Sequence, residues 1–352
     1  MTRNVPDMNL SRIPWTTNQR SPHWLLPMLM SIPPKVGGHW SPPTYLIPDQ
    51  QDATSNSTFL SPNLFGDHIH TKSTHHFCGV SCQLVCLPID PDDSKHEGLA
   101  SPISAYQADA TALQEIGLNF SYCGIQGQWK SRMGYNKWFD AHSDKHVLAW
   151  NKTDPCCSCC QWGSTAIMAV GQTTHYAAGS DVDPTNLGRW CWTHYQGSNS
   201  IIFQFYSVYR PSDNTSGQLS VYAQHQWYFL DQGDAQNPRA AFLQDLAMDI
   251  TIAIMAGEMI IVCGDVNQDV NGNTITSYFA SLGLHHLLFL RHLPTTAPAT
   301  YNWNTTQTSV DGVWASINLN LIRGGYLDFG DFLATPALFG LTFPSPSSLV
   351  NT

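Results

Sequence analysis

Nine short apolar runs, rich in β-branched and aromatic residues, constrain the fold of this chain more than any other feature. Several are apolar at consecutive positions, which is typical of strands buried on both faces. The runs cover residues 77–87, 110–116, 146–150, 164–170, 190–195, 200–209, 259–265, 310–316 and 337–343. Helical patterns and turn-forming residues separate them, which favours an α/β or α+β domain with enough strands for two packed sheets.

The clearest helix pattern covers residues 238–256. Asn237 is a preferred cap residue, and Pro238 suits the first helical position. The apolar stripe that follows consists of Phe242, Leu246, Ile250 and Ile254. We expect this stripe to pack on a sheet, and the helix to end at Gly257.

The run after this helix ends in the polar segment Gly264-Asp265-Val266-Asn267. Asp265 and Asn267 lie two positions apart, so an extended chain points both side chains to the same side. In α/β proteins this end of a strand borders the ligand-binding crevice. The segment therefore predicts a polar site, although an ordinary turn that closes a strand explains these four residues equally well.

Three further segments carry groups suited to cation or phosphate chemistry. Glu115 ends an otherwise apolar run, and a carboxylate in that position suits a hard cation. Tyr209 and Arg210 end a strong β run with a phenol and a guanidinium, which can hold a phosphate oxygen. Asp311 comes just before another strand pattern. Each segment alone can also be a strand end with solvated polar side chains.

Residues 1–75 differ in composition from the rest of the chain. They contain ten of the 22 prolines together with polar runs, which predicts a mostly disordered leader. The remainder holds 11 Lys and Arg against 22 Asp and Glu, a formal net charge of −11. That charge excludes a generally basic nucleic-acid coat, but not an enzyme that meets phosphates through bound metal. We expect a leader at 1–75, one domain at 76–345 and a short tail at 346–352.

The cysteine and hydropathy patterns favour a soluble, monomeric, intracellular protein of the nucleus or cytoplasm, without a signal peptide or a membrane partner. Ten cysteines in 352 residues are too few for a disulfide scaffold. The most apolar stretch, 248–263, contains two acids and is too short to span a bilayer. Two interleaved Cys-x-x-Cys spacings occur at 156–160, but no second pair stands at zinc-finger distance, so we interpret them as a loop.

In this order, the segments resemble the endonuclease/exonuclease/phosphatase superfamily, and most of all the endonuclease domain of non-LTR retroelements. The resemblance covers roughly residues 77–343. Six segments carry it: Leu113-Gln114-Glu115, Gly163-Ser164-Thr165-Ala166, Leu187-Gly188-Arg189-Trp190, Tyr209-Arg210-Pro211, Gly264-Asp265-Val266-Asn267 and Asp311-Gly312-Val313-Trp314-Ala315-Ser316. It implies a DNase I-like fold, a four-layer sandwich of two mixed β-sheets flanked by helices.

Carried over position by position, the resemblance implies a site for phosphodiester cleavage. Glu115 corresponds to the glutamate that holds the metal against the scissile phosphate, with Asp265 sharing the metal, and Tyr209 to a phosphate-contacting tyrosine. Asp265 and Asn267 correspond to the pair that positions the attacking water and stabilises the phosphorus centre. Asp311 corresponds to the acid that orients a catalytic histidine. The implied cofactor is Mg²⁺ or Mn²⁺ with low affinity, and the implied substrate is DNA or another phosphodiester.

Two departures from the family pattern bear on activity. Leu84 stands where the family has an Asn near the end of its first strand, and leucine cannot bind metal. The family's terminal Asp-His pair is absent between Thr335 and Pro336, and no histidine follows His292. Because the loss of general acid–base help costs about 10² to 10⁴ in rate, we expect weak or absent activity.

Three functional hypotheses therefore remain open. The first is an impaired, metal-dependent endonuclease. The second is a catalytically inactive retroelement remnant, or pseudoenzyme. The third is a module that binds a phosphate-bearing partner in the same crevice without turnover, although the acidic charge argues against tight DNA binding in the absence of metal.

Overall fold

All nine predicted apolar runs form strands in the computed structural model of this chain. The structure describes residues 65–67, 76–84, 86–87, 99–100, 103–134, 146–153, 159–196, 202–213, 217, 220–292, 297–303, 306–319, 321–326 and 339–344. They fall within one compact unit, Thr58–Thr352.

The strands are β1 (Phe65–Gly66), β2 (His76–Gln83), β3 (Ala110–Gln114), β4 (His146–Ala149), β5 (Thr165–Ala169), β6 (Ala177–Val182), β7 (Trp190–Gln196), β8 (Ile202–Tyr209), β9 (Met259–Asp265), β10 (Leu284–His285), β11 (Tyr301–Trp303), β12 (Thr306–Thr308), β13 (Asp311–Ser316), β14 (Arg323–Tyr326) and β15 (Phe339–Pro344). The helices are α1 (Ile125–Gly134), α2 (Val221–Asp231), α3 (Pro238–Met255), α4 (Asn273–Ser281) and α5 (Leu287–His292), with a 3₁₀ helix at Gly171–Tyr176. The predicted helix at 238–256 is confirmed as α3, and the side chain of Asn237 accepts hydrogen bonds from two backbone N–H groups of its first turn.

Two mixed sheets form the centre of the fold. The first has seven strands in the order β1-β14-β15-β2-β3-β5-β4, and the second has six in the order β10-β13-β9-β8-β7-β6. Among the described strands, β2 with β3 and β8 with β9 are the parallel pairs, and every other neighbouring pair is antiparallel. Two mixed sheets confirm the predicted architecture.

The parallel pairs determine where the candidate residues lie. Gln83 ends β2, Glu115 follows the last residue of β3, and Tyr209 and Asp265 end β8 and β9. The carboxyl ends of parallel neighbours lie at the same edge of a sheet. Strand β13 runs antiparallel to β9 and begins at Asp311, directly opposite Asp265. The topology therefore gathers residues that are distant in sequence at the strand ends.

An aromatic core lies between the two sheets. Phe77 of β2 packs edge-on against Phe203 and Phe205 of β8, with ring centroids 4.9 and 6.0 Å away. A Cβ at Gly79 would lie 3.1 Å from the ring of Phe205, so the absence of a side chain there permits this close approach. Edge-to-face contacts of this kind add to the free energy gained by aromatic burial.

Helices cover the outer faces of both sheets. Phe242 of α3 packs edge-on against Trp190 of β7, and Phe279 of α4 stacks on Trp314 of β13 with centroids 4.2 Å apart. On the first sheet, Trp129 of α1 joins a buried apolar cluster that includes residues of β2 and β3. The result is the predicted four-layer sandwich. No helix in the described part of the chain is both long enough and apolar enough to cross a bilayer.

Two residues assigned to the leader belong to the first sheet, and a third follows them. Phe65 and Gly66 pair with β14, and the Asp67 carboxylate lies 2.5 Å from Nε of Arg291. The domain therefore includes residues before 76 at this point. The prediction missed them because a two-residue strand leaves no alternation to detect. The other leader residues and the tail at 346–352 lie outside the described residues.

A buried ion pair stabilises the edge of the second sheet. The side chains of Arg189 and Asp183 are both fully buried, with Nε and Oδ2 2.7 Å apart, and Nη2 of Arg189 lies 2.8 Å from Oδ2 of Asp245. The guanidinium also stacks over the ring of Trp190. Because the charges of Arg189 and Asp183 are both removed from water, each is stabilised mainly by its partner in place of solvent.

We expect Asp183→Asn to lower the free energy of unfolding by about 3 kcal/mol, because it leaves the buried Arg189 charge with Asp245 alone. Urea unfolding measures the change. Asp231→Asn, which alters an exposed acid, should stay within about 0.5 kcal/mol of wild type. Equal stability of the two variants would show that the pair contributes little.

Candidate active site

Polar side chains from both sheets meet in one crevice at the strand ends. The hydroxyl of Tyr209 donates to Oε1 of Glu115 at 2.6 Å. Nε2 of Gln83 donates to Oε2 of Glu115 at 2.8 Å and to Oδ2 of Asp265 at 2.9 Å. The sequence predicts that Glu115, Tyr209 and Asp265 lie together, and the structure brings them together through Gln83.

Gln83, and not Leu84, is the residue of β2 that reaches the crevice. Leu84 is buried in the apolar cluster beside α1, on the same face as Val80. Ser81 lies on the other face and donates to the side chain of Gln114. The assignment of Leu84 to the metal-binding position is therefore wrong by one residue. Because side chains alternate along a strand, a shift of one position turns a side chain from the apolar core towards the crevice.

Asn267 fixes the carboxylate of Asp265. Its backbone N–H donates to Oδ1 of Asp265 at 2.7 Å, and its Nδ2 donates to Oδ2 at 3.1 Å. The same Nδ2 donates to the backbone oxygen of Arg210 at 2.7 Å. Both amide hydrogens are therefore engaged within the protein, and in this arrangement Asn267 orients Asp265.

Asp311 lies beside Asp265 and is 1% exposed. Its backbone N–H donates to the hydroxyl of Thr300, and its backbone oxygen accepts from the hydroxyl of Tyr326 at 3.0 Å. Its Oδ2 atom is buried and has no hydrogen-bond partner among the described residues. No described histidine occupies the place where the implied partner would lie.

Two of the site residues have a backbone conformation that side chains normally disfavour. Glu115 has φ +49° and Asn267 has φ +46°. A left-handed conformation is uncommon for residues other than glycine and costs free energy, more for Glu than for Asn. Such residues cluster at functional sites. Gly264 is also required locally, because a Cβ there would collide with the backbone oxygen of Val208.

Burial raises the pKa of all three carboxyl groups. The pKa of Glu115 is raised by burial, against the opposing effect of hydrogen bonds from Tyr209 and Gln83. Burial, and then the charges of Asp311 and Glu115, raise the pKa of Asp265 well above its usual range. Burial raises the pKa of Asp311 to about 7, with a further contribution from Glu115. Ionising these groups away from water is therefore costly, and without a compensating cation each favours its protonated form.

The donor set fits a hard divalent cation. Within the described ranges, no three His, Cys, Asp or Glu side chains lie close enough together to enclose a metal ion. However, two carboxylate oxygens, one from Glu115 and one from Asp265, both lie within 2.9 Å of a single amide nitrogen. The two amide hydrogens on that nitrogen carry the partial positive charge that lies between the carboxylates. Carboxylate and amide oxygens are the ligands that Mg²⁺ and Mn²⁺ prefer.

Comparison with solved structures shows which proteins share this architecture. An AP endonuclease from Leishmania major, LMAP, superposes with a TM-score of 0.56 at 11% identity, over 78% of this chain and 89% of that one. The catalytic domain of human nocturnin, determined with bound sulfate, gives 0.51 at 16% identity, over 76% and 93%. The catalytic domain of Xenopus laevis APE2 gives 0.51 at 12% identity, over 78% and 94%. The chain has the endonuclease/exonuclease/phosphatase fold. No protein-family profile and no curated protein matches its sequence.

Proposed function

We propose that this protein is a divalent-cation-dependent phosphodiesterase of the endonuclease type, which acts weakly on DNA. The observation that carries the proposal is the meeting of the Glu115 and Asp265 carboxyl groups in one crevice. Gln83 and Tyr209 bond to them there, and the buried Asp311 lies opposite Asp265. Buried like charges are costly unless a cation compensates them. The fold supports the same assignment, since a similar structure is an AP endonuclease.

We assign Glu115 and Asp265 as the residues that would hold the cation. Gln83, whose amide hydrogens bridge the two carboxylates here, would turn its amide oxygen towards the cation. When bound, the cation would offset the charge that develops on the phosphate oxygens during cleavage. Tyr209 holds Glu115 in place through its hydroxyl, and Asn267 holds Asp265 through two hydrogen bonds. This arrangement prepositions the ligands, which lowers the cost of ordering them in the transition state.

We expect weak activity because the site lacks, among the described residues, a general acid to protonate the leaving oxygen. Asp311 has an unpaired buried oxygen where the resemblance implies an imidazole. Without that group the leaving oxygen must take its proton from water, and the loss of general acid catalysis costs about 10² to 10⁴ in rate. We therefore expect cation binding to be retained and turnover to be slow.

Plasmid nicking tests this function. Wild-type protein should convert supercoiled plasmid slowly to open circles with Mg²⁺ or Mn²⁺, and not with EDTA. Asp265→Asn and Glu115→Gln should each lower the rate by about 10² or bring it to background. Asp231→Asn, an exposed acid at the end of α2, should leave the rate unchanged. Nicking that survives EDTA or both site substitutions would exclude the proposal.

The second candidate is a non-catalytic retroelement remnant. The unpaired oxygen of Asp311 favours it, because this acid has kept its position without a described partner. The two candidates differ in one outcome. A remnant shows no cation-dependent nicking, even when a histidine is supplied beside Asp311.

A further inference from the structure

Two guanidinium groups meet beside the crevice, and neither has a part in the chemistry above. Arg210 follows the last residue of β8, and Arg239 lies in the first turn of α3. Nε of Arg210 donates to the backbone oxygen of Arg239 at 3.3 Å. Nη2 of Arg239 donates to the backbone oxygen of Asn267 at 2.8 Å. The pair therefore lies next to Asp265, since the backbone N–H of Arg210 also donates to the backbone oxygen of Asp265 at 2.9 Å.

These two positive charges are not balanced locally. Within the described residues, the side-chain hydrogen bonds of Arg210 and Arg239 go to neutral oxygens, and neither forms an ion pair with a carboxylate. Burial, and then the charge of Arg239, lower the pKa of Arg210 to about 10. Asp213 and Asp265 act on both only at longer range. The N-terminal end of α3 adds positive potential at the same place.

Two adjacent arginines are notable in a chain that has so few positively charged residues. The residues after 75 carry a formal net charge of −11 and only 11 Lys and Arg. Two of those few cations lie side by side at the border of the crevice, where like charges repel each other. The hydrogen bonds to backbone oxygens could serve only to hold the loop that contains Asn267. A neutral side-chain donor could make the same bonds without placing two positive charges next to each other.

Each of the two arginines has an N–H group that can donate a hydrogen bond to an incoming anion. Nη2 of Arg210 and Nε of Arg239 donate to no acceptor that the described residues offer. Arg239 is half-buried and Arg210 is only 6% exposed, so Arg239 is the member of the pair whose charge lies near the surface. Guanidinium groups bind phosphate through paired N–H donors, and the interaction strengthens where water is partly excluded.

We propose that Arg210 and Arg239 form an anion subsite that takes a backbone phosphate adjacent to the phosphodiester at Glu115 and Asp265. The inference rests on the proposed function and deepens it. A ligand that engages both places carries at least two phosphates joined by a sugar, so the favoured substrate is a nucleic-acid strand and not a small phosphodiester. The subsite positions the strand and carries no sequence information.

Salt-dependent binding tests the subsite without requiring turnover. The affinity for a short fluorescein-labelled DNA duplex is measured by anisotropy in Ca²⁺ over a series of KCl concentrations. Arg239→Gln should weaken binding about tenfold, as expected for loss of a charge-assisted hydrogen bond. It should also reduce the slope of log K against log salt by about 0.9, the value for one phosphate contact. Arg239→Lys, which keeps the charge, should keep the slope.

The matched control is Arg323→Gln. Arg323 is exposed on β14, and its register through Thr342 to Cys78 places it at the opposite end of the first sheet from Gln83. This variant should keep both affinity and slope. Thermal melting of each variant shows that the fold is retained.

The outcomes separate the subsite from the catalytic proposal. Equal slopes for wild type, Arg239→Gln and Arg323→Gln overturn the subsite, as does wild-type binding without salt dependence. If Arg239→Lys loses as much affinity as Arg239→Gln and shows the same reduced slope, Arg239 has a structural role. That result also overturns the subsite. A reduced slope together with an absence of nicking in every variant supports the subsite and contradicts the phosphodiesterase.

Discussion

A chain with Asp-His inserted between Thr335 and Pro336 should nick supercoiled plasmid at least about 10² times faster than the wild-type chain. The insertion point lies outside the described residues, but the strand that follows it in the chain is described. Strand β15 follows it and pairs with β2, and β2 ends at Gln83 in the crevice. Asp311 has a buried oxygen without a partner among the described residues. A histidine side chain placed beside Asp311 would have a hydrogen-bond acceptor, the Oδ2 atom of Asp311, already in position.

The physical reason is that orientation and proton transfer act together. A carboxylate that accepts from one ring nitrogen fixes the tautomer, so the other nitrogen can exchange a proton with the reacting oxygen. The proposed cation ligands are unchanged by the insertion. Because such residues act as a unit, the gain need not equal the sum of separate effects.

The control for this experiment is an Asp-Ala insertion at the same position, which lengthens the segment equally without an imidazole. It should nick no faster than wild type. Adding Asp311→Asn to the Asp-His chain should remove most of the gain. If the wild-type chain already nicks as fast as the Asp-His chain, the missing pair does not limit activity.

Much of the fold could be predicted because burial on two faces leaves a strong trace in sequence. Strands such as Thr165–Ala169 and Met259–Asp265 have a neighbouring strand on each side and are apolar at nearly every position. Strand β6 was missed because four of its six residues, 178–181, are exposed at a sheet edge. Strand β14 was missed because it is Arg-Gly-Gly-Tyr. Edge and glycine-rich strands depend on their neighbours, and local propensity does not reveal them.

The candidate site was predictable where residues end strands. Glu115, Tyr209, Asp265 and Asp311 lie at such ends, and the structure places them at one crevice. Gln83 was missed although its signal was present: Val80, Cys82 and Leu84 alternate with Ser81 and Gln83, so one face is apolar and the other polar. Thr300 and Tyr326 left no local signal, because they reach Asp311 only through tertiary packing.

The second large effect concerns stability and follows from the raised pKa values. A carboxyl with a raised pKa in the folded state favours folding when protonated, so its contribution is complete below its unfolded pKa and is lost as pH rises through its folded pKa. For Asp311 the folded value is about 7 against about 3.9 unfolded, which corresponds to about 4 kcal/mol lost between about pH 4 and pH 7. Because Glu115 and Asp265 titrate with it, the loss belongs to the three groups together.

A divalent cation should reverse this loss. As pH rises, the carboxyl groups lose their protons and become available as ligands, and a cation at 100 times its dissociation constant stabilises the folded state by about 2.7 kcal/mol. At pH 5 protons compete with the cation for the same groups, so the cation should add little. The matched control is Asp249→Asn, because Asp249 is also a partly buried acid with a raised pKa but bonds to Trp190 behind the second sheet.

The most direct test of the central claim, that Glu115 and Asp265 hold a divalent cation, is urea unfolding of wild type, Asp265→Asn and Asp249→Asn at pH 5 and pH 8, with and without Mn²⁺. We expect Mn²⁺ to stabilise wild type and Asp249→Asn at pH 8 and not at pH 5, and to leave Asp265→Asn unchanged at both. Without metal, Asp265→Asn should lose less stability between pH 5 and pH 8 than wild type. Equal stabilisation of wild type and Asp265→Asn by Mn²⁺ at pH 8 would contradict the claim.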